Sequence, residues 1–137
     1  QTCALPISAY DAGAAYIISP NADSAIIRET KRLGLLSIPG AYTATEVARC
    51  YTDGADIVKV FPSDSAGPGY IKALRGPLHH IPLAAVGGVN LENIRDFFDA
   101  GACCVGIGSN IVSKQAVQEG DFDKIRILAA AYAAKLE

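Results

Sequence analysis

Lys59 is the residue of this chain whose surroundings most clearly invite chemistry. It stands in the middle of Asp56-Ile-Val-Lys-Val-Phe-Pro62, an apolar and partly β-branched run that reads as a strand. A lysine drawn into a buried strand loses hydration, which disfavours the ammonium and lowers its pKa. The neutral amine is a nucleophile able to form a Schiff base with a carbonyl compound. The competing reading is a rim or edge-strand lysine that bends its ammonium to water. Spacing alone leaves both open.

A second chemical signal is a pair of glycine turns. Ala85-Val-Gly-Gly-Val-Asn90 reads as a strand, two glycines and a helix cap, and Cys104-Val-Gly-Ile-Gly-Ser-Asn110 repeats that design one unit later. Gly87, Gly88, Gly108 and Ser109 are therefore candidates to hold an anion, because glycine lets a phosphate reach backbone N–H groups and a helix N-terminus favours negative charge. One such turn fits an ordinary strand-to-helix connection equally well; two in succession favour phosphate. His79 and His80 precede Ile81-Pro82, in a helix-to-strand connection away from those strand ends, and read as surface residues with no partner at metal spacing. Glu46 is explained by a capping box with Thr43, while Asp64, in the loop after the lysine strand, is an acid by position only.

The elements that must position these residues follow a ladder of glycines. Gly13, Gly34, Gly54, Gly76 and Gly101 recur at spacings of 21, 20, 22 and 25, each ahead of an apolar run. A glycine there reads as a left-handed helix end leading into a strand. The strand runs are Tyr16–Ser19, Leu35–Pro39, Asp56–Phe61, Pro82–Val86 and Cys103–Gly108. Helix starts are expected at Asn21, at the Thr43–Glu46 box, at Pro68, at Asn90 and at Asp121, the last helix carrying Phe122, Ile125, Leu128, Tyr132 and Leu136 on one stripe. Strands alternating with helices mean βαβ units and a parallel sheet. Five similar units suit a (β/α)8 barrel, the TIM-barrel fold, truncated to roughly its last five βα units.

Composition narrows the class. Lys+Arg 12 against Asp+Glu 14 gives a net charge of −2, which argues against a nucleic-acid or anionic-membrane partner. No apolar run approaches about 18 residues, so no spanning helix is expected. Charged residues are 19% and apolar ones 50%, which suits strands buried on both faces. Cys3, Cys50, Cys103 and Cys104 show neither zinc nor disulfide spacing and read as buried thiols of a reducing cytoplasm. The chain contains no Met and starts with Gln, so it is read as a fragment. Residues 1–7, Gln-Thr-Cys-Ala-Leu-Pro-Ile, look like a translated sequencing adapter and are set apart as a foreign leader, placing the domain at 8–137.

Ile18-Ser-Pro20, Ile38-Pro-Gly40, Val58-Lys-Val-Phe-Pro62, the run from Gly67 to Pro77, Gly87-Gly-Val-Asn90 and Gly106-Ile-Gly-Ser109 together give a family signature. Across residues 8–137 the chain resembles the class I aldolases acting on 2-keto-3-deoxy-6-phosphogluconate and 4-hydroxy-2-oxoglutarate. The resemblance implies a cytoplasmic (β/α)8 barrel, homotrimeric at full length, in which a strand lysine forms an imine with pyruvate. Lys59 would be that nucleophile, with glyceraldehyde 3-phosphate or glyoxylate as the other product. Gly87, Gly88, Gly108 and Ser109 would hold phosphate, and Pro20 and Phe61 would shape the pyruvate pocket. No metal or other cofactor is implied, because the iminium supplies the positive charge.

Two departures qualify the resemblance. The family usually has Thr before the paired glycines, whereas this chain has Val86, which removes a hydroxyl donor. The family's acid/base glutamate, its carboxylate-binding arginine and a pyruvate-pocket threonine lie on its first three strands, which are expected to be missing here. The chain alone would then be a poor enzyme. The alternatives are a phosphate-binding barrel isomerase or epimerase, which would not need Lys59, and a partial barrel without function.

Overall fold

The computed structural model of the chain describes residues 4–136. Its elements are α1 (Ala4–Asp11), β1 (Tyr16–Ile18), α2 (Ser24–Arg32), β2 (Leu36–Ile38), β3 (Gly40–Ala41), α3 (Ala44–Thr52), β4 (Val58–Val60), α4 (Gly67–Arg75), β5 (Leu83–Val86), α5 (Ile94–Asp99), β6 (Cys104–Gly106), α6 (Lys114–Glu119) and α7 (Phe122–Ala134). Each expected strand run contains a strand. The run expected to end at Pro39 holds β2 and is followed by an unexpected short strand, β3, beyond Pro39, which has no N–H to give a ladder. The run's carbonyls still serve the lysine strand: Lys59 N–H donates to Pro39 O at 2.9 Å and Asp56 N–H to Ser37 O at 3.0 Å.

All pairings are parallel. β1 pairs with β2, and β3, β4, β5 and β6 follow one another in chain order. The broken run 36–41 therefore joins the two ladders into a succession that never reverses direction across the sheet. Every active-site candidate then falls at or near the same, carboxy-terminal end of the strands.

One face of the sheet carries the core. Val58, Val60, Leu83 and Ala85 pack against Val47 and Cys50 of α3, Ile71 and Leu74 of α4, and Ile94 and Phe97 of α5. Burying each large side chain of this set contributes roughly 1.5–3 kcal/mol. The other face differs from the expectation of strands covered on both sides. Tyr16, Ile18 and Leu36 are 54, 48 and 50% exposed on paired strands β1 and β2.

Local start signals held where they were short range. Thr43 Oγ1 accepts from Glu46 N–H while Glu46 Oε2 accepts from Thr43 N–H and Tyr42 N–H, a complete capping box. Asp121 caps α7 by accepting from Lys124 N–H at 3.0 Å, and Pro68 lies in the first turn of α4. Asp23, not Asn21, caps α2, because its carboxylate reaches Ala25 and Ile26 N–H. Asn90 holds a turn ahead of α5 through Glu92 and Asn93 N–H, and the helix itself starts at Ile94. Gly13, Gly34, Gly54 and Gly101 adopt positive φ, but Gly76 stays right-handed at φ −54°, since Leu78 N–H still reaches back to Leu74 O.

The stripe on α7 buries only Tyr132, whereas Phe122 is 67% exposed. Among the cysteines Cys50 is buried, but Cys103 is exposed and Cys104 half-buried, because both sit at the start of the open-faced edge strand β6. Cys3 and the rest of residues 1–3 lie outside the described residues. Residues 4–7, set apart in the sequence, form the first half of α1, with Pro6 fully buried. No described helix is long and apolar enough to cross a membrane.

Candidate active site

Lys59 occupies the centre of β4, with Gly40 opposite it on β3 and Ala84 opposite it on β5. Partners in a parallel ladder project to the same face, so the lysine is flanked by the two smallest side chains the code offers. It is half-buried, and burial alone pushes its ammonium below the ordinary lysine pKa. No carboxylate pairs with it among the described residues. Its Nζ stands 4.4 Å from the centroid of the Phe61 ring, a cation–π distance.

Phe61 and Pro20, the two residues expected to shape a pocket, do share one. A cavity of about 580 Å3 opens between the β1–α2 connection and α3, with Pro20, Gly40, Tyr42 and Phe61 on its wall together with the polar groups of Ser24 and Arg49. Lys59 is not on that wall and meets it only through Phe61. Gly40 is required here by contact: a Cβ on it would lie 2.2 Å from Pro20 O.

The first glycine turn is built against the loop that follows the lysine strand. Gly87 and Gly88 have φ of +96° and +71°, a region that L side chains rarely adopt. A Cβ at Gly87 would stand 3.3 Å from Ser63 N and 3.7 Å from the Phe61 ring, and one at Gly88 would overlap Asp64 Cβ at 2.3 Å. Asp64 is exposed and its carboxylate accepts from Ser65 N–H, so it acts as a loop cap facing the turn. The Phe61–Pro62 peptide in the same loop is cis. Val86, in the place of the family's usual threonine, sits over Gly106, where any Cβ would meet its Cγ2 at 2.8 Å.

Gly108 and Ser109 are exposed at the end of β6, and Gly108 O accepts from Ile111 and Val112 N–H. Asn110 Nδ2 donates to Val89 O at 2.8 Å and ties this turn to the first. Asn93 Nδ2 donates to Gly88 O at 3.1 Å. Among the described residues, the N–H groups of Gly88, Gly108 and Ser109 have no acceptor. Two adjacent turns with unused donors at strand ends suit an anion.

The structure thus brings Pro20, Phe61, Lys59, Gly87 and Gly88 into one contiguous neighbourhood and joins Gly108 and Ser109 to it through Asn110. His79 and His80 are exposed in the connection leading into β5, at the far end of the strands. Sequence reasoning missed Gly40, Ser63, Asn93 and Asn110. Gly40 had a sequence signal, its place after Pro39; Asn93 acts on Gly88 five residues away, whereas Ser63 and Asn110 act through partners distant along the chain.

Comparison with known proteins identifies the family and the fold. The sequence matches the KDPG and KHG aldolase family over residues 4–128. The 2-dehydro-3-deoxy-6-phosphogalactonate aldolase of Escherichia coli K12 is 42% identical over 100 residues, covering 72% of this chain and 49% of that protein. A solved structure described as native KDPGal superposes with a TM-score of 0.89 at 34% identity, covering 98% of this chain and 64% of its own. The KDPG aldolase of Legionella pneumophila, with pyruvate captured at low pH as a covalent carbinolamine intermediate, gives 0.85 at 26% identity, covering 96% and 63%. The chain spans about half the length of the curated relatives it matches. On sequence and on fold, the chain belongs to the KDPG and KHG aldolase family.

Proposed function

We propose that this chain is the imine-forming part of a class I aldolase that cleaves a 2-keto-3-deoxy-6-phospho sugar acid, or 4-hydroxy-2-oxoglutarate, to pyruvate and an aldehyde. The observation that carries the reading is Lys59: a half-buried amine with lowered pKa, with no salt-bridge partner among the described residues, flanked in register by the small residues Gly40 and Ala84. Its neutral amine adds to the keto carbon and water leaves. The C4 hydroxyl gives its proton to a base as the protonated imine accepts the electron pair of the breaking C3–C4 bond, releasing the aldehyde and leaving an enamine. Protonation and hydrolysis free pyruvate and the amine. The relative whose pyruvate is held as a covalent carbinolamine supports the same chemistry.

In this reading Gly87, Gly88, Gly108 and Ser109 hold the phosphate, and Pro20 and Phe61 wall the pyruvate. A phosphorylated substrate is preferred on the names of the phosphogalactonate relatives and on the unused turn N–H groups. The described strands are taken as the last five of a (β/α)8 barrel, homotrimeric and cytoplasmic in the whole protein. Its acid/base group is assigned to strands outside the ones described. General acid–base help is worth roughly 10²–10⁴-fold, so the chain alone is expected to form the imine but turn over poorly.

The test is borohydride reduction in the presence of pyruvate, followed by peptide mass mapping. A stable adduct on the peptide holding Lys59, absent in Lys59→Ala, is expected. No adduct, or one that survives Lys59→Ala, overturns the reading. Substrate turnover by a full-length Lys59→Ala enzyme would assign the glycine turns to a phosphate-binding isomerase or epimerase instead.

A further inference from the structure

Ser63 is fully buried; its hydroxyl and its N–H are spent on strand ends, while its carbonyl accepts from Gly67 N–H at the start of α4. Its hydroxyl donates to Val60 O at 2.7 Å and accepts from Val86 N–H at 3.1 Å, while its own N–H donates to Val86 O at 2.9 Å. β4 has ended by this point, so Val86 has lost its backbone partner on that side. The serine replaces that partner: both backbone groups of Val86 close on one residue of the loop.

The two neighbours of this clamp are the two halves of the site. Two residues before Ser63 is Phe61, whose ring faces the Lys59 ammonium. One residue after Val86 is Gly87, where an added Cβ would stand 3.3 Å from Ser63 N and 3.7 Å from the Phe61 ring, and Asp64 fills the space beside Gly88. A shift of the 61–64 loop relative to β5 would move the ring over Lys59 and reshape the glycine turn together. Hydrogen-bond geometry limits such a shift, because the hydroxyl is held from both sides at once.

We propose that Ser63 is a positioning residue whose buried hydroxyl fixes the lysine end of β4 against the Gly87–Gly88 turn, so that the imine site and the phosphate turn are set by one clamp. The inference deepens the aldolase reading above and rests on it for the roles of the two halves. Its geometric content stands separately: removing the hydroxyl must disturb both halves, not one.

The experiment compares the chain with Ser63→Ala and Ser63→Thr. The pH profile of Lys59 is read by reductive methylation with formaldehyde and borohydride, which needs no pyruvate, and the turn by the amide resonances of Gly87 and Gly88. In Ser63→Ala the Lys59 midpoint should move away from its wild-type value, because the Phe61 ring over the amine is no longer held in place, and both glycine amides should shift. Pyruvate trapping should fall roughly tenfold or more, since a misplacement near 1 Å can cost about 10²-fold. Ser63→Thr, which keeps the hydroxyl, should restore the profile. A folded Ser63→Ala with an unchanged Lys59 profile or unchanged glycine amides overturns the proposal, even if its melting temperature drops. Should Ser63→Ala fail to fold, Ser63→Cys, similar in volume with a weaker donor, is judged by the same criteria. Absence of pyruvate trapping in the unmodified chain would sink the aldolase reading while the methylation profile still decides the clamp.

Discussion

Gly108→Ala separates what the fold needs from what an anion would need. A Cβ at Gly108 meets no heavy atom within 4 Å, and its φ lies outside the left-handed region. The bonds it makes, from Ile111 and Val112 N–H to its carbonyl at 3.0 and 2.9 Å, do not involve the added methyl. Stability should therefore stay within about 0.5 kcal/mol, or rise by roughly 0.4–1 kcal/mol as the unfolded chain loses freedom. If phosphate approaches the Gly108 and Ser109 N–H groups, the methyl stands in its way. Loss of one charge-assisted bond costs about 1.5–3 kcal/mol. At about 1.4 kcal/mol per tenfold, phosphate binding would weaken roughly 10- to 150-fold. Amide titration with inorganic phosphate, set beside urea unfolding of the same two proteins, measures both quantities. Unchanged phosphate binding in a stable variant would refute the cradle. A stability loss above about 1 kcal/mol would refute the claim that the fold leaves this position open.

Other substitutions test the frame around the site. Gly40→Ala places a methyl 2.2 Å from Pro20 O, so urea unfolding should show a loss of about 1–3 kcal/mol from overpacking. Removing the cap hydroxyl in Thr43→Ala should cost about 1 kcal/mol. Glu46 is held below the usual glutamate pKa, first by the N–H of Thr43 and then by that of Tyr42. Its contribution is therefore complete above the ordinary carboxylate range and lost as pH falls through the lowered value; the stability gap between wild type and Glu46→Gln should close in acid melts. Phe97→Ala, on the covered face at 1% exposure, should cost about 3–5 kcal/mol, whereas Leu36→Ala, half exposed on the open face, should cost less than about 1 kcal/mol in this chain. Equal losses at the two positions would mean the open face is covered in solution.

Much of this arrangement was legible because its causes are local. The lysine strand, the Thr43–Glu46 box and the glycines that end helices depend on residues a few positions apart, and each has the expected form except Gly76 and the caps at Asn21 and Asn90. Those exceptions are also local: Leu78 bonds back to Leu74, Asp23 caps α2 in place of Asn21, and Asn90 spends its carboxamide on a turn ahead of α5, whose N-cap Asn93 makes no side-chain cap bond. What could not be read were contacts set by the sheet. Ser63 meets Val86 across 23 positions and Asn110 meets Val89 across 21. Nothing in Pro-Ser-Asp marks a serine as buried until the strand beside it is known. The uncovered face was equally hidden, since Tyr16, Ile18 and Leu36 have the composition of core residues.

That open face bears on the lysine itself. Lys59 shares the ladder row Gly40–Lys59–Ala84–Cys104, and its register neighbours are small where packed parallel strands usually carry large branched residues. Such residues would fill the space over the amine and leave no room for a keto acid. On the aldolase reading the row keeps bulky side chains away from the amine, and burial then decides its charge. In this chain burial is the sole cause lowering the Lys59 pKa, and the lysine is still half-exposed. Any cover over the apolar patch of Tyr16, Ile18 and Leu36 would remove more water from the same side, lowering that pKa further and raising the fraction of nucleophilic amine near neutrality. The Phe61 ring opposes that lowering, since a cation–π contact favours the charged form. The position of that ring, held through the Ser63 clamp, decides how far the amine can be tuned.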